Sequence, residues 1–188
     1  MRIAVPARQP NTHVGRGISR TAVRPHGGLA AGRASRVSWY ERDMAARAVT
    51  EEKLGAWLIK CDPRADPELL ETLVVCSARI TSRCVVRGYR ASMMKKGDRV
   101  LLWVSGIGRA TRGIRGLGHV TGAVDETAGG LCVPVDIPVF ASALTDADLR
   151  AAGVDDLEVQ RMPAGSNPSW VSRQQWERIE PLIGECTG

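Results

Sequence analysis

The chain has 188 residues, 44% of them hydrophobic, and a formal net charge of +6, enough for one domain with a real core. It contains no apolar run of about 18 residues or more, which excludes a transmembrane helix, and no apolar block follows a basic start, so no secretory leader is expected. Five cysteines, an odd number without a C-x-x-C pair, argue against a disulfide framework and a structural zinc site and suit a reducing, cytoplasmic setting.

Residues 1–50 carry nine Arg against Glu41 and Asp43 and show no sustained apolar periodicity. Such a segment cannot bury enough surface to offset its ordering entropy. Residues 1–53 are therefore expected to be a basic, disordered arm, 54–184 the folded domain and 185–188 a tail. The domain opens with a strand-like run, Ala56–Cys61, broken by Asp62-Pro63. Asp66-Pro67 then sets an N-cap and first position for a helix with Leu69, Leu70, Leu73 and Val74 on one face. Cys84–Val86 predicts a second strand and Arg90–Met94 a short helical turn. After the Lys96-Gly97-Asp98 turn, Arg99–Gly106 predicts a nearly continuous apolar strand, the mark of burial on both faces. Gly113–Val124 predicts a long strand whose glycines place bulges or bends, and Leu131–Phe140 a strand that Pro134 and Pro138 assign to an edge. Helices are expected at Thr145–Ala151, capped by Thr145, and at Ser172–Ile183, capped by Ser172. The fold class expected is α+β, a curled, partly open barrel of five to six strands with short helices at its ends.

Charge is sorted inside the domain. Residues 79–115 hold ten cations against Asp98 alone, a local +9, while residues 51–188 as a whole sum to −1. Gathering those cations on one face is most favourable if a polyanion sits there; the alternative is a solvated, scattered arrangement. The domain has one histidine, His119, read as a structural or surface residue, so metal and Ser/His/Asp chemistry lack their usual groups. No cofactor is expected. Cys61, Cys76 and Cys84 read as small buried hydrophobes. Trp103 follows core-like residues and precedes Ser-Gly at a strand end. A flat ring there, beside a Gly-rich loop and a basic stretch, suits base stacking. Trp57 and Tyr89 are second candidates and Trp170 a third.

Several strings match a known pattern in chain order. Trp57-Leu58-Ile59-Lys60-Cys61-Asp62-Pro63 resembles the opening strand of EVE domains. Arg87-Gly88-Tyr89-Arg90 and Met94–Gly106 resemble their central signature. Gly116–Val120 is similar to the next strand, and Arg161–Pro168 followed by Trp176 to the closing loop and helix. EVE domains belong to the PUA-like superfamily, with YTH and ASCH domains. The resemblance implies a pocket for a flipped-out, modified base. It places Lys60, Cys61 and Asp62 along that pocket, Trp103 and Ser105 on the opposite wall, and Asn167 in the late loop. It assigns Arg83, Arg87, Arg90, Arg109, Arg112 and Arg115 to phosphates.

The expectation is a binding module and not an enzyme: a monomeric reader of modified cytosine in DNA that works with a separate nuclease or helicase, as in restriction systems, and does not engage a membrane. The alternatives are an RNA-binding module of the ASCH or YTH kind and, third, a nucleotide-processing enzyme.

Overall fold

The computed structural model describes residues 48–74, 78–105 and 112–186, without the side chains of residues 70, 74, 185 and 186. The expected arm up to residue 47, Cys76 and Arg109 lie outside the described residues. The elements are β1 (Leu54–Cys61), α1 (Pro67–Val74), β2 (Arg79–Val85), α2 (Tyr89–Met93), β3 (Arg99–Val104), β4 (Gly113–Val120), β5 (Asp125–Thr127), β6 (Gly130–Thr145), α3 (Asp146–Ala151), α4 (Glu158–Arg161), β7 (Ser169–Ser172) and α5 (Arg173–Cys186). The result is a mixed α+β fold built on one seven-stranded sheet that does not close. Its order is β2-β6-β4-β3-β1-β7, with β5 added beside β6. β1 and β3 run parallel; the other pairs are antiparallel.

Alternation along the central strands sorts side chains onto two cores. Trp57 and Ile59 of β1, with Val100, Leu102 and Val104 of β3, join Leu69, Leu73, Ala91 and Met94 on one face. Ala56 and Leu58, with Leu101 and Trp103, join Leu149, Leu157, Trp176, Ile179 and Ile183 on the other. The apolar run of β3 is buried on both sides, as its composition predicts. Val49 also packs into the first core, so the described fold begins ahead of residue 54.

The caps hold the helices where the sequence places them. Asp66 accepts from Leu69 N at 3.1 Å. Thr145 and Asp148 form a reciprocal capping box on α3. Ser172 and Gln175 exchange the same pair of bonds on α5, at 2.9 and 3.1 Å.

The strand containing Pro134 and Pro138 corrects an expectation. β6 is not an edge: it runs 16 residues and pairs with β2 on one side and β4 on the other. The β2 ladder shifts register between Ile80 and Ser82, opposite Ile137 and Pro134, so the missing N–H of Pro134 falls at an irregularity in the ladder, while Pro138 stands opposite Arg79, the first residue of β2. The bends foreseen in β4 are present. Its pairing with β6 jumps between Ile114 and Gly116, and a Cβ at Gly118 would lie 1.8 Å from the Asp136 carbonyl oxygen.

Candidate functional site

The segments singled out in the sequence meet at the carboxyl end of β1. Asn167 is the centre of the junction. Its side-chain oxygen accepts from Lys60 N at 3.0 Å, and its amide donates to the carbonyls of Lys60 and Cys84, both at 3.3 Å. Its own carbonyl accepts from Val86 N at 2.6 Å. The Asn167–Pro168 peptide is cis. One side chain thus ties β1, β2 and the 162–168 loop together. Lys60 Nζ donates to the carbonyls of Pro163, at 3.2 Å, and Gly165. Burial holds its pKa below the ordinary lysine value, with Glu158 pulling it up and Arg90 pushing it down. Ser105 N and Oγ both donate to the Cys61 carbonyl, at 2.8 and 3.1 Å.

A second knot adjoins the first. The Arg90 guanidinium grips Glu158 through two bonds of 2.9 and 3.0 Å and reaches the Pro168 carbonyl at 3.4 Å. Ser169 Oγ donates to the same carboxylate at 2.7 Å. With Arg90 only 14% and Glu158 10% exposed, this bidentate pair is a structural clamp between α2 and α4. Tyr89, next to Arg90, is 54% exposed. Among the described residues it is the one aromatic side chain that presents most of its surface to solvent. The Arg90 guanidinium lies 5.9 Å from its ring centre.

Several assigned residues sit elsewhere. Trp57 and Trp103 are both 0% exposed and project from opposite faces of the sheet, into separate cores. Neither ring offers a face to a base, and the two cannot form walls of one pocket. Trp57 Nε1 donates to Asp98 at 2.9 Å; Trp103 packs under the Arg112 guanidinium, 5.5 Å from its ring centre. Trp170 is half-buried against the first core. Alternation also separates Lys60 from Cys61, whose side chain packs with the first core. Burial raises the Cys61 thiol pKa from 9.0 to about 11 against the pull of Arg83. Asp62 is held by Arg64, to which it is bonded through side chain and backbone.

The expected phosphate contacts divide by exposure. Arg83 pairs with Asp66 at 2.7 Å with its side chain 17% exposed. Arg112 donates to the Val159 carbonyl and Arg115 to the Leu73 carbonyl. These three, like Arg90, are committed to the fold. Arg87 differs: its pair with Glu126 is 70% exposed on both partners, and solvent screens such a pair so strongly that it adds little to stability, so a phosphate can replace the carboxylate. Arg109 lies outside the described residues. Cys84 corrects another reading, for it is exposed. His119 is a surface residue, as expected.

Sequence reasoning missed Glu158, the partner of Arg90. It also missed Val86 and Met162, which with Tyr89 are the large hydrophobics exposed among the described residues, at 64% and 54%. Val86 is bonded to Asn167, and Met162 begins the turn whose carbonyls hold Lys60. Their signal was an apolar residue beside a loop, which sequence gives too often to single out.

No protein-family model matches the chain, and no curated protein does. Among solved structures the chain is similar to a hypothetical protein from Leishmania major, 19% identical, with a TM-score of 0.51 over 72% of this chain and 98% of that one. It is similar to a Pseudomonas putida protein at 22% identity and a TM-score of 0.51, covering 68% and 99%. At these identities the likeness is one of fold alone.

Proposed function

We propose that this chain is a nucleic-acid-binding module of the PUA-like, EVE kind that receives an extruded base, modified cytosine in DNA being the preferred ligand. The observation that supports the reading is the exposed ring of Tyr89 beside Arg87, on the surface tied together by Asn167, Lys60 and the Arg90–Glu158 clamp. In this reading Tyr89 is the stacking surface, in place of the buried Trp103. Val86 and Met162, the other large hydrophobics exposed among the described residues, flank the Asn167 junction through Val86 N and the Met162–Gly165 turn. Arg87 exchanges Glu126 for a phosphate. Asn167, Arg90 and Lys60 hold the surrounding loops in place and do not themselves read the base.

The chemistry suits a binding role. Extruding a base costs a few kcal/mol, and stacking on one aromatic ring returns about 1–3 kcal/mol. Edge hydrogen bonds from loop backbone must supply the remainder. The polar groups of the junction are already paired with one another, which favours a fixed receiving surface over acid–base chemistry.

The test is Tyr89→Ala beside Arg87→Ala in the full chain, titrated with a duplex carrying one modified cytosine. Tyr89→Ala is expected to weaken binding by about 5- to 150-fold, the equivalent of the stacking energy. Arg87→Ala is expected to lower affinity for every sequence alike and to reduce the salt slope by about one. Unchanged affinity on Tyr89→Ala would overturn the assignment of the base surface.

A further inference from the structure

Two cysteines stand face to face on the outer ladder of the sheet. Cys84 of β2 and Cys132 of β6 are register partners, and their sulfurs lie 3.4 Å apart. Directly opposed residues on antiparallel strands have Cα atoms about 4.5–5.5 Å apart, within the roughly 4.4–6.8 Å that a disulfide spans. Neither side chain belongs to a core cluster: Cys84 is exposed and Cys132 partly so. β2 is the terminal strand of the sheet, so a reagent reaches the pair from solvent. The described residues contain no group of three or more His, Cys, Asp or Glu able to hold a metal ion. The dithiol therefore has no further ligand among them that would make it a metal site.

We infer that Cys84 and Cys132 are a peroxide-reactive dithiol that closes to a reversible disulfide across the β2–β6 ladder. The two sulfurs have different surroundings. The Thr127 hydroxyl lies 3.5 Å from Cys132 Sγ, and with Ser82 and Cys84 it holds that thiol below its ordinary pKa. Cys84, hydrogen-bonded to Cys132 and partly desolvated, is shifted up. Cys132 is accordingly the attacking thiolate. Its sulfur takes one peroxide oxygen as the O–O bond breaks, hydroxide leaves and is protonated to water, and a sulfenic acid remains. The Cys84 sulfur then attacks the Cys132 sulfur, the S–O bond breaks, and a second water departs with the Cys84 proton. Two thiols are oxidised and one peroxide is reduced to two waters. A dithiol reductant reverses the exchange.

The full chain treated with equimolar hydrogen peroxide, blocked at acid pH and digested with trypsin tests the inference. Peptide 84–87 is expected to be joined to peptide 116–150, the link to vanish on reduction, and to be absent from Cys84→Ser and Cys132→Ser. In Cys84→Ser a sulfenic-acid trap is expected to label Cys132; in Cys132→Ser it is expected to label Cys84 more slowly. The inference is overturned if both cysteines stay alkylatable after peroxide, or if Cys84 is linked to Cys61 or Cys76 instead.

Discussion

Trp103 shows how one residue can satisfy two readings of a sequence. A ring at a strand end, before Ser-Gly and among basic residues, describes a stacking platform and equally a core anchor. The register decides. Trp103 shares its face of β3 with Leu101, and that face is covered by α5 and the 149–159 region. Trp103→Ala is therefore expected to cost about 3–5 kcal/mol of folding stability, measured by denaturant unfolding. A fully stable variant that lost only binding would contradict its place in the core. Cys61 gives a second test at this scale. Its folded-state pKa is raised to about 11 from 9.0, so the stability it confers is full below pH 9 and is lost as pH rises through 11. That is worth about 2–3 kcal/mol. Between pH 8 and pH 11.5 the native protein is expected to lose that much more unfolding free energy than Cys61→Ala; equal losses would show that the thiol titrates normally. Tyr89 was legible as an aromatic within an R-x-Y-R string. Its exposure was not, because it depends on α2 being a five-residue helix that buries Ala91 and little else.

At the scale of elements, the sequence announces what local chemistry controls. Asp66-Pro67, Thr145 and Ser172 start helices because their side chains pair with the first free N–H groups, a decision taken within four residues. The long β6 was misplaced because proline content was taken to mean an edge. What made room for Pro134 was a register shift in β2, some fifty residues away. β4 carries the corresponding prediction. Gly118 sits where any Cβ would collide with the Asp136 backbone, and backbone cannot move aside as a side-chain tip can. Gly118→Ala is expected to destabilise the domain by about 1–3 kcal/mol, read as a lowered midpoint of thermal unfolding. Gly88→Ala, where a Cβ would meet nothing within 4 Å, serves as the contrasting substitution and is expected to change stability far less.

Across the whole molecule, charge counted along the chain overstated the free positive surface. Of the ten cations between residues 79 and 115, Arg79, Arg83, Arg87, Arg90 and Lys95 pair with acidic residues from distant segments. The local +9 and the acidic stretches are thus partly two halves of one neutral network, which sequence distance hides. Long-range pairing of this kind also explains why the junction at Asn167 was only partly legible: the residues were nameable, but not which atoms were already bonded to each other. Among the described residues, Arg87 belongs to this network only through a solvent-exposed pair with Glu126, two residues from the exposed Tyr89, and the proposed binding surface rests on these two. The measurement that tests this most directly is binding of the full chain to matched duplexes bearing cytosine or 5-methylcytosine, and to RNA of the same sequence, with native protein and Tyr89→Ala. At least a tenfold preference, about 1.4 kcal/mol, is expected for the modified duplex, lost in Tyr89→Ala. Equal affinity of the native protein for all three, unchanged by Tyr89→Ala, would contradict it.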